Sequence, residues 1–136
     1  MDVHNKKIRS YNMSRIKNKD TKPEIIVRKI CHRLGLRFRI NQKKFGTKPD
    51  IIFKKHKTVI FVHGCFWHKH ECKYGRVVPK TNTEFWEQKR LKTTERDKKN
   101  YLDISKNYWE YHIFWECELK NIKKIESKIK QIFEII

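Results

Sequence analysis

Positions 61–72 read Phe-Val-His-Gly-Cys-Phe-Trp-His-Lys-His-Glu-Cys, which puts two cysteines, three histidines and a Phe-Trp pair in one short stretch at the end of an apolar run. Thiolate and imidazole are the ligands that zinc prefers. Cys65, Cys72 and the distant Cys117, joined by one histidine, can complete a closed tetrahedral site. Spacing alone does not choose among His63, His68 and His70. The fourth cysteine, Cys31, sits on an apolar helical face and reads as a small buried hydrophobe.

A second kind of chemistry begins at Pro49-Asp50, where a carboxylate opens an apolar run. Held at the edge of a sheet, such a carboxylate can coordinate magnesium, and a metal so placed can organise a phosphodiester and a water. Glu24 offers a second carboxylate, or serves only as the acid of a helix capping box. His63 and His68 have the intrinsic proton affinity for acid or base work near neutral pH, and at least one is left over once the soft site is filled. Asp97, between basic neighbours, either orients one of them or is a solvated ion-pair partner.

The chain has 136 residues, enough for one core, and carries 34 Lys and Arg against 15 Asp and Glu, a formal charge of +19. That excess runs along the whole length and favours a polyanion, nucleic acid above all. No segment reaches the roughly 20 apolar residues needed to span a bilayer, and there is no export signal. The cysteines are therefore expected to be reduced, in a cytoplasmic protein.

These side chains must be positioned by a small set of elements. Residues 1–20 are polar and basic and read as an arm, followed by a single domain over residues 21–136. Thr21, Pro23 and Glu24 open a helix whose apolar face is Ile26, Val27, Ile30, Cys31 and Leu34, with Gly35 as its stop. Strands are predicted at residues 36–40, 50–53 and 58–62, with a charged hairpin tip at 54–57. Thr83 is predicted to cap a long charged helix, residues 108–115 to form a further strand, and the Ile122, Ile125, Ile129, Ile132 and Phe133 spacing marks a last helix. The sum is an α/β arrangement with a covered sheet.

Taken in order, the motifs are similar to those of one family. The run from His63 to Cys72, with Pro49-Asp50 before it and Thr83-Glu84-Phe85-Trp86, Glu95-Arg96-Asp97 and Trp115-Glu116-Cys117 after it, resembles the very-short-patch repair endonucleases, which nick DNA beside a T:G mismatch. Arg9-Ser10, Asn12-Met13 and Asp20-Thr21 extend the likeness towards the start. It implies a restriction-endonuclease-like fold, a mixed central sheet flanked by helices, with a structural zinc site. It also implies Asp50 as magnesium ligand, His68 acting on the attacking water, and His63 and Asp97 as supporting members of the catalytic centre, to which the second carboxylate, Glu24, is added as a catalytic candidate. Cys65, His70, Cys72 and Cys117 take the zinc positions. Phe66, Trp67 and Trp86 take those of side chains that wedge into the DNA stack, although Trp86 read alone would be a core residue of its helix.

Two departures stand out. Where the wider nuclease fold usually carries an acid and a lysine, this chain has the apolar Val59-Ile60-Phe61-Val62. Val62 also stands where members can carry threonine, so any part it plays with magnesium falls to its backbone carbonyl.

The resulting expectation is a magnesium-dependent, zinc-stabilised, monomeric endonuclease that nicks 5′ of the thymine in T:G mismatches left by 5-methylcytosine deamination. It would work near the bacterial nucleoid in functional association with a cytosine-5 methyltransferase and mismatch-repair proteins. A non-catalytic, zinc-stabilised DNA-binding module and a related nuclease cutting paired DNA are the alternatives.

Overall fold

The computed structural model describes residues 21–136, so the basic arm expected over residues 1–20 lies outside the described residues. Helix α1 spans Lys22–Arg33. Strands β1 (Ile51–Phe53) and β2 (Thr58–His63) follow, then the long helix α2 (Thr83–Lys106), strand β3 (Glu110–Trp115), a 3₁₀ turn over Glu116–Lys120 and helix α3 (Ile122–Ile132).

The three strands form one mixed sheet in the order β1-β2-β3. Strand β1 runs antiparallel to β2, with Ile51 opposite Ile60 and Phe53 opposite Thr58, across the charged turn at 54–57. Strand β3 runs parallel to β2, from Thr58 opposite Glu110 to His63 opposite Trp115. A parallel neighbour needs a crossover, and α2 supplies it.

Side chains alternate across the sheet and divide the core in two. Ile51, Phe53, Ile60 and Phe114 face α1 and α3, where they meet Val27, Ile30, Ile125 and Ile129. Ile52, Val59 and Phe61 face the other way, against Ile104 of α2. Both faces are covered, which is why β2 is apolar at almost every position.

Three local expectations are corrected. Residues 36–40 form no strand and make a single bridge, Arg39 with Ile52. Leu36 and Phe38 do pack on the core, but Asn41 takes a left-handed φ of 57° and ends the pairing. Thr21 occupies the N-cap of α1 without a side-chain cap bond, and Glu24 is buried and bonded to Arg28 at 3.0 Å. Thr83 does not cap α2 either: Asn82 is the cap residue, and the Thr83 hydroxyl donates to the Pro79 carbonyl at 2.5 Å.

Between α1 and β1, Lys44 and Thr47 exchange both backbone hydrogen bonds around a two-residue turn. Phe45 and Gly46 both have positive φ, 52° and 80°, as such tight turns require. Phe45 is held there by edge contact with Trp109, ring centroids 5.6 Å apart. The turn sets the approach to Asp50.

Candidate active site and metal centre

The register of the two parallel strands builds the site. Because His63 pairs with Trp115, the residues two positions further on, Cys65 and Cys117, leave the same end of the sheet side by side. The Cys117 N–H points at Cys65 Sγ, 3.4 Å away. The loop after β2 curls back with His70 N–H donating to the Cys65 carbonyl, bringing His70 and Cys72 to the pair.

The ligand atoms of Cys65, His70, Cys72 and Cys117 all lie within 4.8 Å of one another. Three sulfurs and one imidazole are a soft set, suited to zinc in tetrahedral geometry. Desolvation pushes the Cys65 thiol up to about 12. Desolvation acts upward on Cys72 as well, yet hydrogen bonds from the Gly75 N–H, His70 and Cys65 outweigh it and leave that thiol at about 6. Cys31 is fully buried in the core, where desolvation pushes its thiol up to about 12, as expected of an inert position.

The catalytic candidates meet on the other side of the β2 end. Glu24, Asp50, Val62, His63, His68 and Asp97 all line one cleft of about 520 Å³. Asp50 extends the β1–β2 ladder, its N–H donating to the Ile60 carbonyl at 3.1 Å, and its Oδ2 accepts the Val62 N–H at 2.6 Å. Burial raises the Asp50 carboxyl to about 7; the Val62 N–H and Arg28 act in the opposite sense, while the neighbouring Glu24 carboxyl adds to the rise. Two carboxyls pressed together in a partly desolvated place form a hard oxygen set that a divalent cation relieves.

Val62 directs its side chain into the core between α1 and α3. Since its N–H faces Asp50, its carbonyl points to that same edge of β2.

His63 and His68 stack, ring centroids 3.7 Å apart and planes 11° from parallel. His68 Nδ1 is 2.5 Å from Asp97 Oδ2, so the carboxylate accepts its proton and Nε2 is left able to take another. His63 shares a 2.6 Å hydrogen bond with the Tyr101 hydroxyl. Burial, reinforced by His68 and opposed by Asp97, pushes His63 down to about 3, which makes it neutral at physiological pH.

Next to this cleft a trench of about 580 Å³ runs along α2, lined by Trp67, His68, Lys89, Lys92, Thr93 and Arg96. His68 and Arg96 line both depressions, so the two adjoin at these side chains. Trp67, at the trench wall, forms a triangle with Phe66 and Trp86, with centroid separations of 5.3, 5.5 and 6.2 Å. All three are only partly buried, and Phe85 beside them is 52% exposed. Trp86 is thus no core residue.

Several participants carried no recognised signal in the sequence. Lys48 and Asn100 line the cleft and Tyr101 holds His63, while Trp115, singled out only as part of a motif, packs flat on His70. Lysines and arginines are too abundant here for sequence to say which ones face the cleft.

A sheet end bearing a carboxylate pair, an Asp-supported histidine and a basic trench has the make-up of a hydrolase acting on a polyanion. Comparison with known proteins makes this specific. The family model for DNA mismatch endonuclease Vsr matches residues 1–74. The chain is 47% identical to the type II nicking enzyme V.NmeAIP of Neisseria meningitidis, over 88% of this chain and 85% of that protein. It is 40% identical to the DNA mismatch endonuclease Vsr of Escherichia coli, over 93% and 81%. Against the type II nicking enzyme V.XorIIP of Xanthomonas oryzae the identity is 35%, over 93% and 92%. The chain belongs to the Vsr family.

Proposed function

We propose that this protein is a strand-specific DNA mismatch endonuclease that nicks 5′ of the thymine in a T:G mismatch arising from 5-methylcytosine deamination, and so initiates very-short-patch repair. The observation that carries the reading is the convergence of Glu24, Asp50, Val62, His63, His68 and Asp97 on one cleft that adjoins a basic trench with Trp67 of the aromatic triangle at its wall. Residues 21–136 act as one nuclease domain of restriction-endonuclease-like type.

DNA enters along α2, where Lys89, Lys92 and Arg96 meet its phosphates. Phe66, Trp67 and Trp86 press into the base stack, which a mismatch makes less costly to open. His68 Nε2 takes a proton from the attacking water while Asp97 fixes the ring and balances its charge. His63, neutral and stacked on His68, supports that ring from behind. Magnesium held by the Asp50 carboxylate and the Val62 carbonyl, with Glu24 beside them, would supply charge neutralisation at the phosphate. Zinc held by Cys65, His70, Cys72 and Cys117 would act as scaffold. Such a substrate implies work at the bacterial nucleoid, on sites made by a cytosine-5 methyltransferase. Among the described residues no helix is long and apolar enough to cross a membrane.

The decisive experiment incubates a T:G duplex and its fully paired control with the protein and magnesium. Nicking of the mismatched duplex alone, on the thymine strand, is expected. Equal cleavage of both duplexes, or of neither, would sink the proposal.

A further inference from the structure

The largest fully buried side chain among the described residues is not apolar but Arg90, only 1% exposed, on a helix otherwise crowded with solvated cations. Burying a guanidinium is costly unless its donors are met. Here they are met almost entirely by one loop. Nε donates to the Phe66 carbonyl at 2.8 Å, Nη1 to the Val77 carbonyl at 2.8 Å, and Nη2 to the Gly75 carbonyl. A second Nη1 bond reaches Glu87 at 2.9 Å, and the guanidinium lies over the Phe66 ring, 4.5 Å from its centroid.

Together these contacts tie the loop that carries Phe66 and Trp67 to the helix that carries Trp86. Phe66 is in the loop after β2, whereas Trp86 is one turn before Arg90 on α2. Gly75 packs so tightly under the loop that a Cβ there would collide with the His70 backbone. Arg90 therefore fastens the ring-bearing loop and its return segment to the helix that carries Trp86. Glu87 extends the clasp outwards through Lys69, at 3.3 Å.

We infer that Arg90 is a positioning residue for mismatch discrimination: it holds Phe66, and with it Trp67, at a fixed height and angle to Trp86, so that the rings enter the DNA stack as one rigid wedge. The inference rests on the reading of these three aromatics as a wedge. Rigidity matters because an aromatic that must first be ordered spends part of its stacking gain on that ordering. A planar fork can serve three diverging carbonyls at once, which the single ammonium of lysine cannot.

The test compares Arg90→Lys, Glu87→Gln and Trp67→Ala with the unaltered protein on T:G and paired duplexes, with zinc content and melting temperature measured for each. For Arg90→Lys the KM for the mismatched duplex is expected to rise about tenfold with kcat within about threefold, the size of effect carried by one stacked base. Binding of paired DNA, which depends on phosphates, should not change, and 2-aminopurine beside the mismatch should brighten less on binding. Glu87→Gln should shift KM in the same direction by a smaller factor. Unchanged mismatch preference in Arg90→Lys overturns the inference, as does an equal loss on both duplexes accompanied by loss of zinc, which would make Arg90 merely structural. If Arg90→Lys does not fold, Glu87→Gln decides, and unaltered preference there overturns the inference. Trp67→Ala separates the two levels. Full mismatch preference in that variant removes the wedge itself, whereas its loss there with retention in Arg90→Lys removes only the role of Arg90.

Discussion

Trp115 lies flat on His70, ring centroids 4.1 Å apart and planes 16° from parallel, and turns its edge to His63 at 5.3 Å. One indole is therefore the shared wall between the cysteine-histidine cluster and the histidine pair of the cleft. The parallel register makes this unavoidable, since Trp115 pairs with His63 and precedes Cys117 by two residues. Trp115→Ala should slow nicking by about 10- to 100-fold, as loss of support behind a metal site and its neighbours commonly does. Metal content should persist, because all four ligands remain. Nicking assays paired with zinc analysis check this, and an unchanged rate would show that the cluster and the cleft are independent.

The cysteine cluster should behave as scaffold. Cys72→Ser and Cys117→Ser are each expected to lose one equivalent of zinc and to lower the melting temperature, with nicking falling in parallel. Cys31→Ser should leave zinc in place, because that thiol lies in the core under α1, away from the cluster. Zinc retained in the first two variants would remove those cysteines from the ligand set.

Much of the site was legible because its residues are rare. Cysteine, histidine and tryptophan are few in this chain and bunch where the chemistry is, and the apolar run of β2 marked the sheet centre. Abundance hid the rest. Arg90 sits between Lys89 and Leu91 in a helix where almost every turn has a cation, and nothing in that pattern says which one is buried. Glu24 looked like a capping acid because the capping spacing was correct, yet the helix start is built without that bond and the carboxyl turns to Asp50. Residues 36–40 alternate like a strand, but alternation reports only which side chains face the core, not whether a partner strand continues beside them. Tyr101 and Trp115 gained their places from tertiary register, which local sequence does not encode.

The His68–Asp97 pair allows a paired test. His68→Ala removes the group that takes the proton and should cost about 10²- to 10⁴-fold in nicking rate. Asp97→Asn removes the charge that balances a protonated ring and lets an amide N–H donate to Nδ1, which leaves Nε2 already protonated, so it should cost up to about 10⁴-fold as well. Neither side chain is needed for binding through phosphates, so mismatched duplex should be retained by both variants in a shift assay. Loss of binding together with rate would assign the pair to DNA contact instead.

Asp50 yields a prediction with a definite sign. Its carboxyl is raised in the folded protein from an ordinary 3.8 to about 7, by burial first and by the adjacent Glu24 in addition. A raised carboxyl binds its proton more tightly when folded, so its contribution to stability is full below the unfolded value and is lost as pH rises through about 7, with a slope of at most about 1.4 kcal/mol per pH unit. His63 acts oppositely: held at about 3, it contributes above its ordinary 6.5 and loses that contribution as pH falls through the folded value. The two windows overlap, so the Asp50 contribution is isolated by subtracting the profile of Asp50→Asn from that of the unaltered protein, both loaded with zinc and free of magnesium. Above pH 7 the Asp50 carboxylate is ionised and desolvated, the state in which a divalent cation is most welcome. Magnesium should accordingly raise the melting temperature by more at pH 8 than at pH 6, and in Asp50→Asn that increment and the nicking activity should both vanish. Equal magnesium shifts at the two pH values, or an increment that survives in Asp50→Asn, would move the cation away from this carboxylate.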